Sequence, residues 1–168
     1  MGTDEHKGKA PKSVGFGVVT VSDTRTEEDD LSGKAIIEIM KSAGHKSLRK
    51  MIVKDEVDQI QKALREMLED KETNAVVING GTGVSKRDVT IEAVLEFEEK
   101  ALPGFGVLFR MLSFEVVGGA AMMSRATAFV TFEGKVVFCL PGSERAVRLA
   151  MTRLVAPEVA HMVWEANR

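Results

Sequence analysis

Apolar and polar positions follow two rhythms along this chain, and the changes of rhythm mark its elements. Residues 16–21 and 75–78 are short, nearly unbroken apolar runs, the second rich in branched side chains, as in strands buried on both faces of a parallel sheet. Residues 47–53 are less apolar and predict a strand nearer an edge. Between them the period lengthens: Ala35, Ile36, Ile39, Met40 and Ala43, then Val57, Ile60, Leu64, Met67 and Leu68, recur at helical spacing. Asp30 or Ser32 is the expected cap of the first helix, Gly44 its stop, and Asp55 the expected cap of the second. A third helix is expected from Ile91, capped by Thr90, to about Lys100, and a fourth over residues 107–117 after a break at residues 103–106. Residues 127–132 and 135–140 read as strands of a hairpin turning at Glu133-Gly134, and residues 144–164 as a final helix kinked at Pro157.

Strand and helix alternating in this way predict an α/β fold: a largely parallel sheet covered on both sides, with the first hairpin strand reversed. Every parallel strand then releases the chain at one edge, where open sheets bind ligands. Four polar stretches follow strands and gather there: Ser22-Asp23, Asp55, residues 80–88 and residues 141–143. The richest is Gly80-Gly81-Thr82-Gly83, where glycines bring main-chain N–H groups close to an anion and Thr82 and Ser85 add hydroxyls. Lys86 and Arg87 strengthen the attraction. Asp88 is unfavourable beside an anion unless a cation such as Mg2+ lies between them, which makes it the first candidate for a metal-linked role. Taken singly, each stretch also reads as an ordinary capped turn, and Asp88 as a local turn former. Their convergence at one edge favours a phosphate-handling pocket. With no Ser-His-Asp set and no well-placed histidine, positioning and charge neutralisation are the expected means of catalysis.

Composition narrows the partners. The 168 residues carry 23 Lys and Arg against 25 Asp and Glu, a net charge of -2, so no global basic field invites nucleic acid. Residues 1–12 read as a loose polar tail, His6 included, and residues 13–168 as a single domain. The lone cysteine, Cys139, excludes an internal disulfide and sits in an apolar run, as a buried packing residue would. No signal-peptide core is visible and the apolar runs look too short to cross a bilayer, so a cytoplasmic protein without a membrane partner is expected.

Across about residues 14–155 the motifs together resemble a known family. They are Thr20-Val-Ser-Asp-Thr-Arg25, Asp30 with Ser32-Gly33, Asp55-Glu56, Gly80-Gly-Thr-Gly83, Arg87-Asp88-Val-Thr90, Pro103-Gly-Phe-Gly106, Ser124-Arg125-Ala126 and Leu140-Pro-Gly-Ser143. This series is similar to the MoaB/MogA family of molybdenum-cofactor biosynthesis proteins and to the G domain of gephyrin. The resemblance implies a three-layer α/β/α fold with a mostly parallel mixed sheet containing one antiparallel strand. It also implies assembly into a homo-oligomer, trimer or hexamer, with other proteins of the cofactor pathway as further partners. The implied reaction is adenylylation of molybdopterin by ATP and Mg2+. Asp55 and Asp88 match the carboxylates associated with catalysis and Mg2+. Ser22, Asp23, Gly80, Gly81, Thr82, Gly83, Arg87, Ser124, Arg125, Pro141, Gly142 and Ser143 match positions binding nucleotide and molybdopterin. Asn79 and Ile91 depart from the Thr or Ser and the Pro often found there. A non-catalytic molybdopterin carrier and a CinA-type nucleotide pyrophosphate hydrolase are the competing readings.

Overall fold

The computed structural model describes residue 8 and residues 10–168; most of the expected tail, His6 included, lies outside the described residues. The strands are β1 (Gly15–Val21), β2 (Lys46–Val53), β3 (Ala75–Asn79), β4 (Glu98–Ala101), β5 (Thr127–Thr131) and β6 (Val136–Leu140). The α-helices are α1 (Leu31–Ser42), α2 (Val57–Glu69), α3 (Thr90–Val94), α4 (Pro103–Val117), α5 (Glu144–Ala150) and α6 (Ala156–Ala166). One sheet runs in the order β2-β1-β3-β6-β5-β4, with β3 near its centre and β2 at an edge, as the weaker apolarity of β2 predicts. β1 pairs in parallel with β2 and β3, and β3 with β6; β5 runs against both β6 and β4 and is the one reversed strand.

The two-residue period of the strands divides the interior into two cores. Phe16, Val18, Ala75, Val77, Val136 and Phe138 face α1, α4, α5 and α6. Val19, Val21, Val76, Ile78, Val137 and Cys139 face α2 and α3. Sheet and helices thus form three layers, as the alternation predicted.

Local corrections follow from backbone bonding that side-chain period does not report. The helix expected to run to Lys100 stops at Val94; a 3-10 turn, Leu95–Phe97, leads into β4, a charged edge strand pairing with β5. Pro103 does not break the chain there but opens α4, where its missing N–H is not needed. In consequence α4 and the 3-10 turn after it, Pro103–Met123, make a helical stretch of 21 residues with an 18-residue window of mean hydropathy 1.4, long and apolar enough by length and composition alone to match a membrane span, which the shorter runs did not suggest. Its Phe105 and Phe109 pack into the first core, while Val107, Leu108, Met111 and Phe114 are exposed. Neither Thr90 nor Asp55 caps a helix. Thr90 is the first residue of α3 and Glu56 flanks α2 without a side-chain cap; Asp30 does cap α1, accepting from the Gly33 N–H at 2.9 Å. Before Pro157 the last helix widens into a π turn, Met151–Val155, where the Ala156 N–H reaches back to the Met151 carbonyl.

Candidate functional site at the carboxyl edge of the sheet

The parallel strands deliver their following turns to one side, and the turns enclose an open cleft of about 590 Å³. Ser22, Asp23, Asp55, Gly80, Gly81, Arg87, Asp88, Gly142 and Ser143 line it. Thr82, Gly83, Ser124 and Pro141 line an adjoining hollow that shares Gly81, Asp88 and Gly142 with the cleft. Of the residues singled out from the sequence, Arg125, Ser85 and Lys86 line neither.

The glycine loop owes its shape to contacts no other residue type permits. Gly80 and Gly81 have φ of +103° and +64°, where a side chain is strained. A Cβ on Gly80 would lie 2.2 Å from the Val21 carbonyl oxygen, and one on Gly81 2.3 Å from Thr90 Oγ1. Thr90 holds the loop by donating its hydroxyl to the Gly80 carbonyl at 2.8 Å and its N–H to that of Gly81 at 3.1 Å. Arg125 holds it from behind. Its Nε donates to the Gly83 carbonyl at 2.8 Å and Nη2 to that of Asp88 at 3.0 Å, while Glu92 pairs with the guanidinium. Among the described residues the N–H groups of Gly81, Thr82 and Gly83 donate to no protein acceptor, so they remain available to an anion.

Beside the loop stand three carboxylates, a Cβ on Gly81 falling 3.0 Å from Asp55 Oδ1 and one on Gly83 2.8 Å from Asp88 Oδ2. Asp23 accepts from the Asp55 N–H at 3.2 Å and is paired with Arg87. Asp88 accepts from the Ser85 N–H at 2.8 Å, the local turn that its sequence position allowed. Asp55 differs: its Oδ1 is buried without a hydrogen-bond partner. Burial raises the Asp55 carboxyl above its ordinary range; the negative charges of Asp88 and Asp23 add to this, and the Val89 N–H and Arg87 oppose it. Such an oxygen is poised for a cation. Among the described residues no three His, Cys, Asp or Glu side chains form a cage able to hold a metal ion alone. Mg2+, however, is usually held by one or two carboxylates together with phosphates and water, and Asp55 with Asp88 fits that role.

Sequence reasoning missed Arg25 as a site residue and treated Asn79 only as a departure; both line the cleft with Thr20. Arg25 donates to Ser32 Oγ at 3.2 Å and to the Gly142 carbonyl at 3.1 Å, and Ser32 donates to the same carbonyl at 2.7 Å. The guanidinium at the mouth of β1 was the available signal.

Comparison with known proteins agrees with this architecture. A family model described as a probable molybdopterin binding domain matches residues 17–161. The chain is 51% identical to a molybdenum cofactor biosynthesis protein B of Bacillus subtilis (strain 168), over all of this chain and 99% of that one. A crystal structure of a molybdenum cofactor biosynthesis protein B superposes with a TM-score of 0.90 at 48% identity, covering 95% of this chain and 99% of the other. A tungsten cofactor synthesizing protein, MoaB from Pyrococcus furiosus, superposes with a TM-score of 0.87 at 38% identity, covering 95% and 100%. By the match over most of its length and by its full-length relatives, the chain belongs to the molybdopterin-binding domain family of cofactor biosynthesis proteins, with the MoaB proteins among its members.

Proposed function

We propose that the chain transfers an adenylyl group from ATP to molybdopterin in the biosynthesis of the molybdenum or tungsten cofactor. The observation that carries this reading is the unpartnered, buried Oδ1 of Asp55 facing a glycine loop with free N–H groups, in a protein whose relatives are cofactor biosynthesis proteins. A terminal phosphate oxygen of molybdopterin forms a bond to the α-phosphorus of ATP, and the bond from that phosphorus to the β-phosphate oxygen breaks. Adenylylated molybdopterin and pyrophosphate result, with the leaving electron pair on pyrophosphate. Mg2+, held by Asp55 and Asp88, would supply neutralisation of the triphosphate charge. The N–H groups of residues 81–83 orient the phosphates, and the Arg125 brace keeps those donors aimed as charge builds on the leaving group. Arg87, paired with Asp23 at the rim, holds that carboxylate where it receives the Asp55 N–H. Assembly into a trimer or hexamer is part of the proposal, resting on the exposed apolar side chains of α4, which a second copy would cover.

Purified protein given Mg-ATP and molybdopterin is expected to release pyrophosphate, and Asp88→Ala to abolish the release. Unchanged release by the variant sinks the residue assignment. Firm pterin binding without turnover favours a carrier, and pterin-independent breakdown of ADP-ribose a hydrolase.

A further inference from the structure

Asn79 ends β3 on the floor of the cleft, 1% exposed, with its carboxamide half satisfied. Nδ2 donates to Thr20 Oγ1 at 2.9 Å and lies 3.5 Å from the Val19 carbonyl oxygen; Oδ1 is buried with no partner. A buried acceptor left unpaired is unfavourable, and its persistence calls for an explanation.

A chain of directed hydrogen bonds sets which end of the amide is left over. Asp30, its side chain fully buried, accepts from Lys50 Nζ at 2.9 Å, the Gly33 N–H at 2.9 Å and the Thr20 hydroxyl at 2.8 Å. Burial alone would raise this carboxyl, but Lys50, the Gly33 N–H and Thr20 outweigh it and the net shift is downward, so Asp30 is ionised and can only accept. Thr20 has one hydroxyl hydrogen and gives it to Asp30. Its oxygen can therefore only accept from Asn79, which must turn its NH2 toward Thr20 and its oxygen away. Gly80 and Gly142 approach beside it, a Cβ on Gly142 falling 3.3 Å from Gly80 Cα, so the corner is built for a close main-chain fit.

We propose that Asn79 is a specificity-determining residue: its carboxamide oxygen accepts a hydrogen bond from an exocyclic amine of the ligand's nitrogen heterocycle, in an orientation held by Thr20, Asp30 and Lys50. This rests on the reading that the cleft takes ATP and molybdopterin. Adenine and a pterin both carry such donors. Asn79 and Thr20 share the sheet face of the first core, whereas Val21 and Ile78 belong to that of the second.

Two ligand pairs separate the sources: ATP against purine riboside triphosphate, which lacks the amine, and 6-hydroxymethylpterin against its 2-deamino analogue. Affinities are read by calorimetry or ligand-observed NMR on the full chain. Wild-type protein is expected to prefer the amine of one pair by about five- to a hundredfold, the range for leaving a buried acceptor unpaired. Asn79→Leu should bind both members of that pair equally. Thr20→Val, which frees the amide to turn, should also lose the preference, and Thr20→Ser should keep it; this pair stands if the Leu variant does not fold. Equal binding of both members of each pair by wild type, no binding of any probe, or a preference that survives in Asn79→Leu overturns the proposal. Amine preference without pyrophosphate release leaves Asn79 in its role and removes the proposed reaction. Release at equal rates from both triphosphates, with no pterin preference, removes the role of Asn79 alone.

Discussion

Asp55→Ala should make the ligand-free protein more stable at neutral pH while removing its response to Mg-ATP. The carboxyl is raised above its ordinary 3.8 by burial, with Asp88 and Asp23 adding to it. The folded state therefore binds the proton more tightly than the unfolded one. Stability from this group is fully present below 3.8 and is lost as pH rises through the folded value. At pH 7.5 the wild type thus carries an unpartnered buried oxygen, which costs about 1–3 kcal/mol. Truncation also gives up the Val89 N–H contact, worth about 1 kcal/mol, so the net gain is roughly 1 kcal/mol, or about 2–4 °C in Tm for a chain of this size. Calorimetry at pH 4 and 7.5 is the assay, and the gain should shrink toward the lower pH. Mg-ATP at a hundredfold excess over its Kd should add about 2.7 kcal/mol to the wild type and little to the variant. A variant less stable than wild type at pH 7.5, or one stabilised equally by Mg-ATP, refutes the reasoning.

Asp30→Ala removes the cap of α1 and the partner of Lys50 and Thr20; urea unfolding should show a loss of about 3–5 kcal/mol. Because the Asp30 carboxyl is held below its ordinary range, its contribution is present above the unfolded value and lost as pH falls through the folded one, so the variant's acid limb should be flatter. Arg125→Lys cannot reproduce a planar fork reaching the carbonyls of both Gly83 and Asp88; kinetics should show the KM for ATP rising about tenfold, and an unchanged KM would contradict the bracing role. Cys139, fully buried and pushed up to about 12, should resist alkylation at pH 8 in the native protein and react on unfolding, as followed by mass spectrometry.

The layers and the placement of the site were legible because hydrophobic period reports which faces are buried, and strands buried on both faces leave unbroken runs such as residues 75–78. The convergence of Asp55, Asp88 and the glycine loop followed from parallel strands ending at one edge. Positions set by hydrogen bonding were not legible. β4 exists because Glu98, Lys100 and Ala101 find main-chain partners on β5, and nothing in their side chains announces it. Thr90 looked like a cap, but the Gly80 carbonyl claimed its hydroxyl. Arg125 matched a ligand-binding position by resemblance, yet carbonyls more than 35 residues away in sequence hold its guanidinium. Asp30 and Asn79 gained their significance only through Thr20, which lies between them.

The most direct test follows the adenylyl group itself. In a single turnover with ATP labelled at the α-phosphate, molybdopterin and Mg2+, wild-type protein is expected to move the label onto the pterin in step with pyrophosphate formation, and Asp55→Asn or Asp88→Ala to leave it in ATP. Label that stays in ATP with the wild-type protein, or that appears as free AMP without a pterin adduct, would contradict the assignment of this cleft as an adenylyl-transfer site.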